Sequence, residues 1–239
     1  MHSPFVFDFV NNLLRDTTPY YAFKPIEKIR NSLLKDRRTI QVTDFGSGST
    51  QRSEYPTKIS ELAARQLLPA KYGQLLFRLV NRFQPATILE LGTSLGVTSL
   101  YLAAANTKSK VVTLEGSGET IAIAEEIFER FNARSIGTRA GEFSSTLLPS
   151  LEELTRLDFL FVDGNHRYGP TLDYFQTALP FCHDGSVMVF DDIHWSRDME
   201  QAWEEIRRHG NVTLSIDLFR LGILFFQPGR RQEHFTLKF

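Results

Sequence analysis

The sequence predicts an α/β fold: a Rossmann-like, seven-stranded, mostly parallel sheet with helices on both faces, a C-terminal antiparallel hairpin and an N-terminal helical extension. Three observations carry this. From Pro85 onward, short apolar runs alternate with amphipathic stretches through five strand–helix units. The apolar runs, such as "FLFVD" and "VMVFDD", are continuous rather than alternating in polarity, which marks strands buried on both faces. The last two, "VTLSI" and "GILFF", are separated only by "DLFRL", room for a hairpin but not for a crossover helix.

The elements follow in order. Ser3 and Pro4 open a helix that runs to about Arg15: a hydroxyl that can cap, then a proline whose missing N–H costs nothing in the first turn. "TTPYY" breaks it. A second helix starts near Pro25 and sets Ile26, Ile29, Leu33 and Leu34 on one face until the charged stop "KDRR". A short β-like piece, "TIQV", leads to the glycine-rich stretch "DFGSGST" (44–50), and helices are expected over 57–68 and 70–83. Residues 1–68 are read as a helical extension or cap and 69–239 as the core. In the core, "ATILEL", "KVVTLE", "SIGTRA", "LDFLFVD" and "GSVMVFDD" are strands, each followed by a helix.

Composition narrows the function. A chain of 239 residues is long enough for one large α/β domain, and 42% apolar with 23% charged residues is an ordinary globular balance. A formal net charge of −1 leaves no basic excess to neutralise phosphates, so no nucleic-acid partner is expected. The single cysteine, Cys182, leaves no internal disulfide, fits a reducing compartment and reads as core within "ALPFC". No apolar run approaches the ~20 residues of a membrane span, and "MHSPFVFDFVNNLL" lacks the basic start of a signal peptide. The expected setting is cytoplasmic, without a membrane partner, and a homodimer is kept as a candidate assembly.

Ligands of such sheets sit beyond the carboxyl ends of the strands. The first core strand ends in "ELGTSLG", where Gly92 allows a tight turn and Gly96 opens a helix whose free N–H groups can meet a negative group. The second ends at Glu115, 23 residues after Gly92, the spacing at which an acid accepts hydrogen bonds from both ribose hydroxyls of an adenosine. Ser94 stands where a dehydrogenase needs the middle glycine of G-x-G-x-x-G, and Glu90 suits a cationic amino-acid moiety better than a pyrophosphate. Both point from NAD toward S-adenosylmethionine.

"ILELGTSLGVTSLYLA" resembles motif I of the class I S-adenosylmethionine-dependent methyltransferases, most of all the catechol and caffeoyl-CoA O-methyltransferase group. "KYGQLL" upstream and "VVTLEG", "LDFLFVDGNHRY" and "VMVFDDIH" downstream extend the likeness over about 70–226. The resemblance implies that Glu90, Gly92, Thr93, Ser94, Gly96 and Thr98 surround the methionine part of the cofactor. It puts Glu115 and Gly116 at the ribose, and Gly141, Glu142 and Phe143 beside the adenine, with Phe143 equally readable as core. Asp163, Asp191 and Asp192 match positions that bind Mg2+ or Ca2+ through oxygen ligands; a second reading has Asp163 touching cofactor and the other two structural.

Where the resembling enzymes carry a lysine after the first of these aspartates, this chain has "GNHRY". His166 is therefore the candidate general base, with His194 as runner-up. The expected activity is O-methylation of a small-molecule hydroxyl, with divalent-metal assistance considered. The alternatives are a metal-independent N-methyltransferase and a non-catalytic S-adenosylmethionine-binding module. "DFGSGST" lacks a core strand before it and an acid at a strand end after it. It is read as a joint, or as a lid over the acceptor with Arg52 or Tyr55 reaching inward.

Overall fold

The computed structural model describes residues 3–44, 53–229 and 231–239. Helix α1 (Pro4–Phe9) starts with its proline in the first turn and runs on into a π-helical turn, Val10–Leu14. Ser3 flanks α1 without a side-chain capping bond. Helix α2 (Phe23–Leu33) precedes strands β1 (Thr39–Asp44) and β2 (Ser53–Lys58). These two strands pair antiparallel as a separate two-stranded sheet. Residues 45–52, which hold most of "DFGSGST" and Arg52, lie outside the described residues. Helix α3 (Ile59–Gln66) begins later than the expected residue 57, because β2 stays extended past Pro56 to Lys58.

Helix α4 (Ala70–Phe83) leads into the core: β3 (Thr87–Leu91), α5 (Val97–Ala105), β4 (Lys110–Glu115), α6 (Gly118–Phe131), β5 (Ile136–Ala140), α7 (Phe143–Leu154) and β6 (Phe159–Val162). Then come α8 (Tyr168–Ala178), β7 (Val187–Phe190), α9 (Arg197–Arg207), β8 (Leu214–Asp217), β9 (Gly222–Phe225) and β10 (Glu233–Thr236). The main sheet has the order β10-β8-β9-β7-β6-β3-β4-β5. Strand β9 runs antiparallel to β7 and β8, and the other pairings are parallel.

The α/β sheet with its terminal antiparallel pair is as expected, with an eighth strand added at the edge. β10 pairs parallel with β8 and alternates intermediate and exposed residues. "EHFT" therefore carries no continuous apolar run for a reader of the sequence to find.

The central strands sort their side chains by parity, as a sheet covered on both faces requires. Ile88, Phe159, Phe161, Val189 and Ile223 face a core shared with α1 and α4. Leu89, Leu91, Leu160, Val162 and Met188 face one shared with α7, α8 and α9. Phe5 of α1 meets Phe225 edge to face at 5.0 Å, so the N-terminal helix packs on the sheet itself. α2, β1 and α3 bury Ile26, Val42 and Leu62 in a third core with α5 and α6. No helix among the described residues is long and apolar enough to cross a membrane.

Candidate active site

The strand order reverses between β3 and β6, and a cleft opens beyond their carboxyl ends. Gly92 leaves β3 with φ +102, and a Cβ there would sit 2.0 Å from the carbonyl oxygen of Asp163, the residue that follows β6. Only glycine lets the two strand ends approach so closely. Gly96 has φ +78 and a different neighbour: a Cβ would lie 2.6 Å from the ring of Phe128. Its bare backbone lets α6 pack against the turn, and Gly96 is not among the residues that line the cleft.

Three more residues of this motif stand behind the turn rather than on the cavity. Glu90 is fully buried and accepts hydrogen bonds from the hydroxyls of Ser99 and Thr113. Burial pushes its carboxyl up to about 7, against the pull of those two donors. Thr93 Oγ1 lies 2.6 Å from Thr113 Oγ1, and Thr98 is buried in the first turn of α5. Glu90, Ser99, Thr93 and Thr113 thus form a buried hydroxyl–carboxyl network beneath the loop, joining β3, α5 and β4.

The cleft is a cavity of about 690 Å3, within the range of small-molecule sites. Gly92, Ser94, Glu115, Gly116, Gly141, Glu142 and Phe143 all line it. Glu115 is clamped by backbone amides: Ser94 N–H donates to Oε2 and Ser117 N–H to Oε1, both at 2.9 Å. Burial raises its pKa, and the amides of Ser117, Ser94 and Gly116 pull it back. Each carboxylate oxygen keeps accepting capacity for a further donor. Phe143 meets Tyr174 edge to face at 5.7 Å on the far wall.

The acidic end is arranged differently from the expected metal trio. Asp191 is fully buried, and its Oδ1 and Oδ2 accept from Arg220 Nε and Nη2, each at 2.8 Å. Arg220 Nη2 also lies 3.3 Å from Asp192 Oδ1. Asp163 and Asp192 line the cavity with His166, whose Nε2 is 3.6 Å from Asp163 Oδ1 and 3.9 Å from Asp192 Oδ2. Burial, then the charges of Asp191 and Asp192, hold the Asp163 carboxyl well above the usual carboxylate range. Among the described residues no three His, Cys, Asp or Glu side chains form a metal-ligand group. The three aspartates do not fit Mg2+ or Ca2+ as folded, because a hard cation needs several free oxygens and a guanidinium holds both of those on Asp191.

His194 lies away from the cavity lining, among carboxylates. Its Nε2 lies 2.9 Å from Asp217 and its Nδ1 3.3 Å from Glu200, and the ring stacks on Phe219. Although burial opposes the charge, these carboxylates raise its pKa, which suits a fixed ion pair rather than a base. Of the two histidines only His166 faces the cavity.

Sequence reasoning missed Arg220, Asn165 and Gln66. Arg220 sits in "DLFRL", the turn between β8 and β9, and reaches the end of β7 because β9 is its antiparallel neighbour. Asn165 lines the cavity with a left-handed φ of 51, and its buried Oδ1 has no partner among the described residues. Gln66, at the end of α3, accepts at 2.9 Å from Ser94 Oγ. Tyr55, expected to reach inward, does line the cavity.

Comparison with known proteins places this arrangement. Residues 89–193 match the family model described as "Methyltransferase domain". This segment is thus similar to a methyltransferase domain. The match runs from within β3 to the turn after β7, so the Gly92–Gly96 turn, Glu115 and the three aspartates fall within it. Over 125 residues the chain is 31% identical to the catechol O-methyltransferase of Niastella koreensis, covering 51% of this chain and 55% of that protein. Over 158 residues it is 28% identical to the catechol O-methyltransferase of Mycobacterium tuberculosis, covering 61% and 68%. The chain thus spans about half the length of the first of these relatives.

Two solved structures share the fold of this chain. The SAH-bound methyltransferase PaMTH1 of Podospora anserina superposes with a TM-score of 0.63 at 16% identity, over 95% of this chain and 97% of that one. The O-methyltransferase of Bacillus cereus in complex with SAH gives 0.58 at 20% identity, over 92% and 96%.

Proposed function

We propose that the chain transfers a methyl group from S-adenosylmethionine to a hydroxyl oxygen of a small-molecule acceptor. The observation that carries this reading is the amide-clamped Glu115 in a cavity at the β3–β6 reversal, inside the segment similar to a methyltransferase domain. Glu115 accepts from the ribose hydroxyls, the Gly92–Ser94 turn lies along the methionine part, and Gly141, Glu142 and Phe143 border the adenine. Asn165 Oδ1, buried and unpartnered among the described residues, accepts from a donor of the bound molecule. Strand β2 and helix α3 wall the acceptor side through Tyr55 and Gln66.

The donor supplies an activated methyl group on a sulfonium. The protein's task is to align the acceptor with it and exclude water. As the acceptor oxygen forms its bond to the methyl carbon, the carbon–sulfur bond breaks and its electron pair returns to sulfur. The hydroxyl proton passes to His166, which faces the cavity beside Asp163 and Asp192.

Thermal unfolding with S-adenosylhomocysteine or with NAD tests the cofactor. A ligand at 100-fold its Kd adds about 2.7 kcal/mol of stability, and only S-adenosylhomocysteine should do so. Methyl transfer from labelled S-adenosylmethionine to a panel of phenols and catechols tests the chemistry. Equal silence toward both nucleotides would sink the reading, and binding without transfer to any hydroxyl would leave a binding module. His166→Asn should lower kcat about 100-fold or more while S-adenosylhomocysteine still binds.

A further inference from the structure

We propose that Arg220 is a built-in cation that occupies the place of a divalent metal at the ends of β6 and β7, so that this chain neither binds nor needs one. The inference rests on the methyltransferase reading only for the use of the site; the charge arrangement stands apart from it.

The guanidinium is placed by backbone as well as side chain. Arg220 follows Phe219, which has φ 70, in the turn from β8 to β9; Phe219 N–H donates to Asp217 Oδ1 at 2.7 Å. The Arg220 N–H donates to the Leu218 carbonyl at 2.9 Å, and its own carbonyl accepts from Ile193 N–H at 3.2 Å. The turn and the loop after β7 are thereby tied together, with the arginine between them.

From that position the fork meets both oxygens of Asp191 in the paired geometry in which guanidinium and carboxylate interact most strongly. The same Nη2 turns toward Asp192, and the Tyr72 ring lies 5.6 Å from Cζ. Asp191 is fully buried, so it needs a permanent countercharge, and losing one partner of a buried pair leaves the other uncompensated. A hydrated Mg2+ could enter only by expelling the guanidinium from Asp191. The arginine's cost of leaving that carboxylate, together with the ion's own dehydration, opposes the exchange.

Arg220 is therefore a positioning residue. It fixes Asp191 and Asp192, borders the cavity beside Asp163 and His166, and provides a constant positive charge where an acceptor oxygen gains negative charge. Its Nη1 has no hydrogen-bond partner among the described residues.

Titration of the whole protein with Mn2+, followed by electron paramagnetic resonance of the free ion, tests this without any assay of methyl transfer. Wild type should leave Mn2+ free at protein concentrations where a carboxylate site would hold it. Arg220→Ala should bind one equivalent, about tenfold or more tighter than wild type, as Asp191 and Asp192 become available. Arg220→Lys keeps the charge and should stay metal-free, an outcome that loss of packing alone would not produce. Saturable Mn2+ binding by wild type would overturn the proposal, and needs no variant to fold. So would Arg220→Ala that folds and binds no more tightly than wild type. If instead S-adenosylhomocysteine fails to bind while the Mn2+ pattern holds, it is the methyltransferase reading that fails.

Discussion

Replacing Gly92 with alanine tests how the two halves of the cleft are held together. The new methyl group would meet two separate penalties. At φ +102 a side chain is strained wherever it points, at about 1–3 kcal/mol. The Cβ would also sit 2.0 Å from the Asp163 carbonyl oxygen, which is backbone and cannot swing aside. Asp163 is itself pinned, since its N–H donates to the Leu91 carbonyl at 2.8 Å. Relief requires the β3 and β6 ends to part, at a further overpacking cost of about 1–3 kcal/mol. The sum, about 2–6 kcal/mol, is a large share of the roughly 5–15 kcal/mol that holds a domain folded. At an m of about 2 kcal/mol/M, a loss of about 4 kcal/mol lowers the urea midpoint by about 2 M. Gly118→Ala is the control: nothing lies within 4 Å of its Cβ position and its φ is not positive. That variant should match wild type or gain up to about 1 kcal/mol. A Gly92→Ala midpoint indistinguishable from that of Gly118→Ala would refute the close approach of the two strand ends.

Three further outcomes are expected. Glu90 has its carboxyl raised from 4.5 to about 7 in the folded protein, so the folded state holds the proton more tightly than the unfolded chain. Its contribution to stability is therefore greatest below about pH 4.5 and declines as pH rises toward 7, by roughly 3 kcal/mol in all; Glu90→Gln should flatten that fall in urea midpoints across the window. Asp158 behaves oppositely. Burial works against its charge, but His183, the amides of Thr87 and Ala86, and Arg156 together lower its pKa. Its contribution is thus present above the ordinary carboxylate range and lost as pH falls through the lowered value, and Asp158→Ala should cost about 3 kcal/mol near neutrality by denaturant unfolding. Gln66→Ala removes the bond to Ser94 Oγ and should weaken S-adenosylhomocysteine about fivefold by calorimetry, the worth of one neutral hydrogen bond. An unchanged affinity would show that α3 does not steady the cofactor loop.

The parts of this fold that the sequence displays are those whose burial leaves a one-dimensional trace. "FLFV" and "VMVF" are buried at every position, so their strands read as unbroken apolar runs ending in the aspartates that mark the cleft. β10 and the β1–β2 hairpin have half-exposed faces and pairing partners that local pattern does not reveal. The site divides in the same way. Glu115 was legible because its spacing from Gly92 follows from one strand–helix–strand unit. Glu90, Gly96 and Thr98 belong to the same motif, yet their side chains or Cβ positions turn into the scaffold, a distinction of direction that spacing does not carry. Arg220 was illegible because 29 residues separate it from Asp191, and only the antiparallel return of β9 brings the charges together.

Ser117 joins two structures that the chain order keeps apart. Its amide donates to Glu115, while its hydroxyl accepts at 3.3 Å from the amide of Thr43 in β1. The neighbouring Gln41 amide donates to Glu119 at 2.6 Å, in the first turn of the same helix. The hairpin thus leans on the residues that hold Glu115, the side chain proposed to receive the ribose. Free energy exchanged between them runs equally in both directions: if a filled ribose position steadies the hairpin, whatever steadies the hairpin tightens cofactor binding by the same factor. Slower hydrogen exchange at Gln41 and Thr43 on adding S-adenosylhomocysteine, diminished in Ser117→Ala, would give the size of that coupling.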